Sequence, residues 1–276
     1  MTTWQGNDQP VHPDLSFGAW LRVFRRGAVV GLLVYGGLGL LLLVRGPERL
    51  IHGLVRPWTP HITQAVCRGA LALLGIGYAV TGKPMTRHGA VVANHSSWLD
   101  IFALNACQQV YFVSKAEVAG WPGIGWLARA TGTVFIARDR RQAKHQQRMF
   151  EERLHLGHKL LFFPEGTSTD GMRVLPFKST LFAAYYTHGL EHEMHVQPVT
   201  VAYHAPKGED RRFYGWWGDM EFGPHLLHTL AACRQGRIEV VFHDPVRVDR
   251  FPDRKGLAAY CEGVIRDTLS LRLRPD

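Results

Sequence analysis

The chain has 276 residues, 46% of them hydrophobic, which is enough to bury a sizeable core and excludes disorder over most of its length. Lysine and arginine number 32 against 23 aspartate and glutamate, a net charge of +9, so the partners implied are anionic: nucleic acid, acidic proteins or an anionic membrane surface. Cys67, Cys107, Cys233 and Cys261 stand far apart without paired spacing, which fits buried thiols in a reducing compartment better than a disulfide frame or a zinc site.

The first element is "GAVVGLLVYGGLGLLLLV", residues 27–44, without a charge between Arg26 and Arg45. As a helix it reaches about 27 Å, close to the ~30 Å hydrocarbon thickness of a bilayer. Membrane contact is therefore the expected choice among the anionic partners. The run begins well inside the chain and no A-x-A-like site follows it, which argues against a cleaved signal peptide. If the helix crosses the bilayer, Arg45, Arg49, Arg56 and Arg68 outweigh Arg22, Arg25 and Arg26, and the C-terminal side is cytoplasmic. A shorter run, "GALALLGIGYAV" from Gly69 to Val80, is expected to lie in the interface or to pack on the first. The expected division is a tail over 1–26, a membrane-associated helical segment over 27–80 and a catalytic domain over 81–276.

From Gly82 onward, "AVVAN", "QVYFVSK", "TVFIAR", "KLLFFPEG", "HVQPVTVAY" and "RIEVVFHDPV" read as strands. Helical patterns lie between and after them, notably "RRQAKHQQRMFEERLHLGH" and "DRKGLAAYCEGVIRDTLSLRL". This alternation predicts an α/β layered domain, a mixed central sheet flanked by helices.

Three loops that follow strands carry the polar chemistry. In "NHSSWLD", Ser97 and Asp100 have the spacing of a capping box for a helix "WLDIFALNAC", which explains both residues but not His95. A neutral imidazole can take a proton from a hydroxyl if a carboxylate fixes its tautomer. Positions five apart diverge by about 140° on a helix, so Asp100 reaches His95 only if His95 sits in the turn before it. In "FFPEGTSTDG", Pro164 ends a strand and Glu165 and Gly166 open a hydroxyl-rich loop at the strand's carboxyl end, where α/β sheets bind ligands. In "GTVFIARDRR", Arg138 stands just beyond a strand, where a guanidinium can clamp a phosphate.

Together these motifs resemble the glycerolipid acyltransferase family, lysophosphatidic acid acyltransferase type. Its N-H-x4-D motif is matched by Asn94, His95 and Asp100, and its G-x-x-F-I-x-R motif by Gly132, Phe135, Ile136 and Arg138. Phe163 to Thr167 match F-P-E-G-T, and "VQPVTV" around Pro198 matches a looser proline motif. The resemblance implies a glycerol-3-phosphate acyltransferase-like fold and a membrane-bound enzyme of the inner membrane, its catalytic domain facing the cytosol. Such an enzyme moves a fatty acyl group from a thioester, on acyl carrier protein or coenzyme A, to the hydroxyl of a lysolipid. It implies His95 as general base, Asp100 as its orienting partner, and Arg138 with Glu165, Gly166 and Thr167 as the hold on the acceptor's head group. The thioester is a co-substrate, and the resemblance calls for no bound cofactor and no metal.

One position departs from the pattern. Family members of the lysophosphatidic acid type usually continue F-P-E-G-T with arginine, whereas Ser168 stands here, and Lys178 in "LPFKST" is the candidate to replace that cation. Lysophosphatidic acid is the leading acceptor in this reading. Lyso-ornithine lipid is the alternative, because its acyltransferases resemble this chain at the serine and at "WPGIGWLA". From other classes, the alternatives to acyl transfer are a non-enzymatic membrane-binding protein and a hydrolase using the same base to activate water. His188, His192 and His195 in "HGLEHEMH" would share a helix face, but their order falls one residue short of H-E-x-x-H. The aromatic "FYGWWGDMEF" reads as core packing or a membrane-facing wall, and with no recognised motif beside it nucleic acid is not an expected partner.

Overall fold

The computed structural model describes residues 3–6, 9–10, 14–136, 143–186 and 190–274. An eight-stranded mixed sheet forms its centre: β1 (Gly77–Thr81), β2 (Gly89–Ala93), β3 (Tyr111–Lys115), β4 (Val134–Ile136), β5 (Leu160–Phe162), β6 (His195–His204), β7 (Arg237–Phe242) and β8 (Val246–Arg247). The order is β1-β7-β6-β2-β5-β3-β4, with β8 beside β6. Strands β6, β2, β5, β3 and β4 run parallel, and β7 and β8 run antiparallel to β6. Strand β2 is buried along its whole length and therefore reads as an unbroken apolar run. Its residues alternate between two cores: Val91 and Ala93 face one layer, Ala90 and Val92 the other.

The first layer holds α2 (Thr59–Leu74), α3 (Asp100–Cys107) and α6 (Phe222–Ala231), with α1 (Phe17–His52) outside them. The second is built on α7 (Arg254–Arg272), whose Leu257, Cys261, Ile265 and Leu269 form the buried stripe expected from their spacing. Helices α4 (Ile124–Thr131) and α5 (Ala143–His155) complete the crossovers around β3, β4 and β5.

Two expected boundaries move. Helix α1 starts at Phe17, inside the expected tail, because the Ser16 side chain accepts from Ala19 N at 3.3 Å and caps it there. The run from Gly69 to Val80 divides: its first half ends α2, which packs on α1, one of its two expected places, and its second half is β1, paired in register with β7 from Gly77 to Thr81. Of the cysteines expected to be buried, Cys67 and Cys261 are, Cys107 is half-buried and Cys233 is exposed.

Helices α1 and α2 form a tight hairpin. A Cβ on Gly37 would stand 2.4 Å from Val66 Cγ2, so only glycine permits that approach. At its tip, Glu48 of α1 caps α2. One oxygen accepts from Trp58 N at 2.6 Å and Thr59 N at 2.9 Å, and the other from Thr59 Oγ1 at 2.7 Å and Arg45 at 2.9 Å. A carboxylate suits a helix amino terminus, where free N–H groups and the helix dipole present positive charge. Glu48→Ala is expected to destabilise the fold by about 1–2 kcal/mol, the usual cost of a lost cap, read as a lower thermal midpoint in detergent.

Candidate active site

The sheet register brings together residues far apart in sequence. Strand β2 lies between β6 and β5, with Val92 beside Phe162 and Pro198. The loops leaving β2 and β5 therefore emerge side by side, and His95 meets the Glu165 turn. Asn94 fastens the first loop: its amide accepts from Val201 N at 2.8 Å and donates to Val201 O at 2.9 Å, a two-bond clamp on β6.

His95 Nδ1 lies 2.7 Å from Asp100 Oδ2, and the imidazole stacks on Phe163 with centroids 4.1 Å apart and planes 10° apart. The same Oδ2 accepts from Ser96 N at 2.9 Å and Ser97 N at 3.1 Å, while Oδ1 accepts from the Tyr203 hydroxyl at 2.6 Å. Asp100 is fully buried, whereas the His95 side chain stays 21% exposed. With Asp100 as acceptor, Nδ1 carries the proton and Nε2 keeps a lone pair. That is the tautomer of a general base.

The cap is built differently from the expected capping box. Helix α3 begins at Asp100 itself, and Ser97 Oγ accepts from Leu99 N at 3.3 Å within the preceding turn. Asp100 reaches back to the Ser96 and Ser97 amides, so one carboxylate both ties the turn and holds the imidazole. Ser96 and Ser97 are wholly buried, consistent with structural rather than nucleophilic use.

Glu165 also differs from expectation. Its side chain is 1% exposed, one oxygen accepts from His95 N at 2.7 Å and the other from Leu175 N at 2.7 Å. Burial pushes its carboxyl up to about 8, with the two backbone bonds opposing that shift. It braces the backbone of His95, with both of its oxygens occupied by main-chain amides. Gly166 closes the turn with N–H to Phe163 O at 3.0 Å and a φ of 71°, which glycine adopts without strain. Thr167 is buried beside it, Lys178 N donates to Pro164 O at 2.9 Å, and Thr169 N returns to His95 O at 2.9 Å. Ser168 is half-buried between them. Arg138 lies outside the described residues; β4 ends at Ile136, three strands from β2, or about 14 Å at ordinary strand spacing.

The histidine-rich segment does not form the face its spacing offered. His192 ends a short 3-10 turn and His195 opens β6, while His188 lies outside the described residues. In the aromatic segment, Phe213, Tyr214 and Trp217 are buried, and Trp216 N donates to Ser96 O at 2.8 Å. The segment is core that supports the His95 loop. Tyr203 is the site residue that reading the sequence missed. It hides in the apolar β6 run, and its only signal is that alternation puts it on the face of Val199 and Val201.

Asp100→Asn retains an oxygen for the serine amides but loses the charge that supports an imidazolium, so acyl transfer is expected to fall roughly 10³–10⁴-fold. Tyr203→Phe removes one hydrogen bond to a charged group and is expected to lower kcat about 10–100-fold. Steady-state rates of both variants, with circular dichroism to confirm folding, check the ranking.

Residues 79–202 match the Acyltransferase family model, spanning β2 through most of β6. The chain is 59% identical to the lyso-ornithine lipid O-acyltransferase of Rhodobacter capsulatus, over 98% of each chain. It is 39% identical to the 1-acyl-sn-glycerol-3-phosphate acyltransferase of Neisseria gonorrhoeae, over 73% of this chain and 78% of that one. The crystal structure of the 1-acyl-sn-glycerophosphate (LPA) acyltransferase of Thermotoga maritima shares the fold, with a TM-score of 0.59 at 22% identity over 92% of this chain and 99% of that one. With its His95 and Asp100 joined at the mouth of a mixed sheet and the Rhodobacter relative spanning it nearly end to end, the chain belongs to the glycerolipid acyltransferase family.

Proposed function

We propose that the protein transfers a fatty acyl group from a thioester to the free hydroxyl of lyso-ornithine lipid, giving ornithine lipid. The observation that carries acyl transfer is the 2.7 Å contact between His95 Nδ1 and a fully buried Asp100. Nε2 takes the acceptor's hydroxyl proton as that oxygen attacks the thioester carbonyl carbon. The tetrahedral intermediate collapses with cleavage of the C–S bond, and the imidazolium returns the proton to the departing thiolate. Because a thioester is already activated, a base, positioning and hydrogen-bond donors suffice. Acyl carrier protein or coenzyme A carries the donor, and Arg138, the Gly166–Thr167 turn and Lys178 are the groups assigned to the acceptor's head.

For the acceptor, the sequence alone favours lysophosphatidic acid through its motifs, with Ser168 as the dissenting residue. The Rhodobacter relative, similar across 98% of both chains, supports the lyso-ornithine lipid alternative. Lysophosphatidic acid stands as the second reading, favoured by the Neisseria relative. Offering purified enzyme both lysolipids side by side, with labelled acyl carrier protein and coenzyme A thioesters, is expected to yield ornithine lipid faster, and His95→Ala is expected to yield neither product. Phosphatidic acid as the main product overturns the acceptor assignment alone; free fatty acid as the sole product overturns acyl transfer.

Helix α1 is the proposed membrane element. It is long and apolar enough to cross a bilayer, with mean hydropathy 2.3 over a window that is only 6% buried. Both of its ends, however, are fixed to the catalytic domain. Near the start, Arg22 and Arg26 donate to carbonyls of Leu230, Ala231 and Ala232 at the end of α6; near the finish, Glu48 caps α2. We read α1 as lying along the domain within one leaflet, its exposed Leu32, Leu40 and Leu43 in lipid, at the cytoplasmic face of the inner membrane. Single cysteines placed at Phe17 and Leu50 are expected to react with an impermeant maleimide from the same side of sealed inverted vesicles. Labelling from opposite sides would establish a span.

A further inference from the structure

The turn that carries His95 is held by two loops, each donating to one of its carbonyls. Thr169, in the loop after β5, donates to His95 O through its amide at 2.9 Å and its hydroxyl at 3.2 Å. Trp216, in the aromatic loop before α6, donates to Ser96 O at 2.8 Å. The loops also press on each other: a Cβ on Gly215 would stand 2.7 Å from Asp170 O, so glycine is needed where they meet. Asp170 is 2% exposed and accepts from Arg173 through both oxygens, at 3.2 and 2.9 Å, which ties Arg173 to the first loop.

The amino-terminal tail joins the same two loops a second time. Trp4 is half-buried and meets both: the Arg173 guanidinium lies 5.2 Å over its ring, and the Trp217 ring centroid is 6.4 Å away. Gly6, at a φ of 62°, turns the tail back across this contact; a Cβ there would stand 2.6 Å from the Trp4 ring and 2.9 Å from Trp217 Nε1. Beyond it, Gln9 Nε2 donates to Trp217 O at 3.3 Å. Chain ends fray unless something ties them down, and here the ties fall on the loops that hold the catalytic turn. One line of contacts runs from Trp4 through Arg173, Asp170 and Thr169 to His95 O, the other through Trp217 and Trp216 to Ser96 O. A base that must stay within hydrogen-bond reach of a hydroxyl needs its main chain fixed as well as its ring. We propose that Trp4 is a positioning residue for acyl transfer, locking the loop after β5 to the aromatic loop and so holding the main chain at His95 and Ser96. The proposal rests on His95 acting as the base.

The test compares the full chain with Trp4→Ala, Trp4→Phe and Gln9→Ala in detergent, with lyso-ornithine lipid and lysophosphatidic acid as acceptors and labelled thioesters as donors. Trp4→Ala is expected to lower kcat about tenfold with KM within about twofold, because a shifted main chain slows the step without removing a binding group. Trp4→Phe keeps a ring face for Arg173 and is expected to recover roughly half of kcat or more. Gln9→Ala, the milder change, is expected to lower kcat about two- to threefold. Hydrogen exchange read by mass spectrometry is expected to quicken in Trp4→Ala at the peptides containing the Thr169 and Trp216 amides and to stay unchanged in β2 and α7. Unchanged kcat in Trp4→Ala, or faster exchange throughout the domain with a lower thermal midpoint, overturns the positioning role. An unsubstituted chain that acylates neither lysolipid overturns acyl transfer instead, and the exchange pattern then decides by itself whether Trp4 holds the two loops.

Discussion

Four hydrogen-bond donors from two stretches of chain converge on the carboxylate of Asp100: the His95 ring and the Ser96 and Ser97 amides from one, and the Tyr203 hydroxyl from the other. A buried carboxylate is tolerated only when its oxygens are occupied, and here the occupants are the parts that must be held still. Removing the side chain would disturb the turn, the ring and the β6 contact together. The surrounding bonds serve the same end. Asn94 clamps the turn to β6, Glu165 braces His95 N, and Trp216 and Thr169 close on the carbonyls of Ser96 and His95. Of the groups bonded to Asp100, the imidazole is the partly exposed one, which is the arrangement a base needs if it is to meet substrate without wandering.

Much of this was legible in the sequence. The strands that flank the site were readable because each is a short apolar run ending in a polar loop. The geometry of a turn before a helix allowed His95 to meet Asp100, and the family resemblance implied the pair. The sheet order was not readable: nothing local in "VVANH" or "LLFFPEG" says that β2 and β5 are neighbours, because that depends on crossovers through α3, α4 and α5. For the same reason Glu165 looked like a ligand-binding carboxylate. Its exposure is decided by Leu175 and His95, ten and seventy residues away. Tyr203 was hidden by its surroundings, since a tyrosine in a buried strand is ordinarily core and only the fold reveals that its hydroxyl meets an acid.

The N-terminal helix shows how a sound local rule can meet a tertiary limit. Length and hydropathy alone permit a span, and the count of arginines would then orient it. That count presumes that the two ends lie on opposite sides. Arg22 and Arg26 at one end and the Glu48 cap at the other both engage the same globular body, and a helix of 36 residues, about 54 Å long, bound at both ends lies along that body. The arginines at its two ends then share one surface.

The same geometry explains how acceptor choice can differ while the chemistry stays fixed. The base, its carboxylate and their braces are inside the fold, joined by bonds that a change of head group would not touch. Ser168 and Lys178 are half-buried around the β5 loop, where a side chain can change without breaking the Asp100 network. An arginine at position 168 would place a guanidinium beside the catalytic turn and favour a phosphate there. Serine supplies only a hydroxyl, and an acceptor whose head carries an ammonium as well as a carboxylate has less need of a fixed cation at that point. In the proposed function, selectivity rests on a few side chains at the mouth, and catalysis on the buried frame behind them.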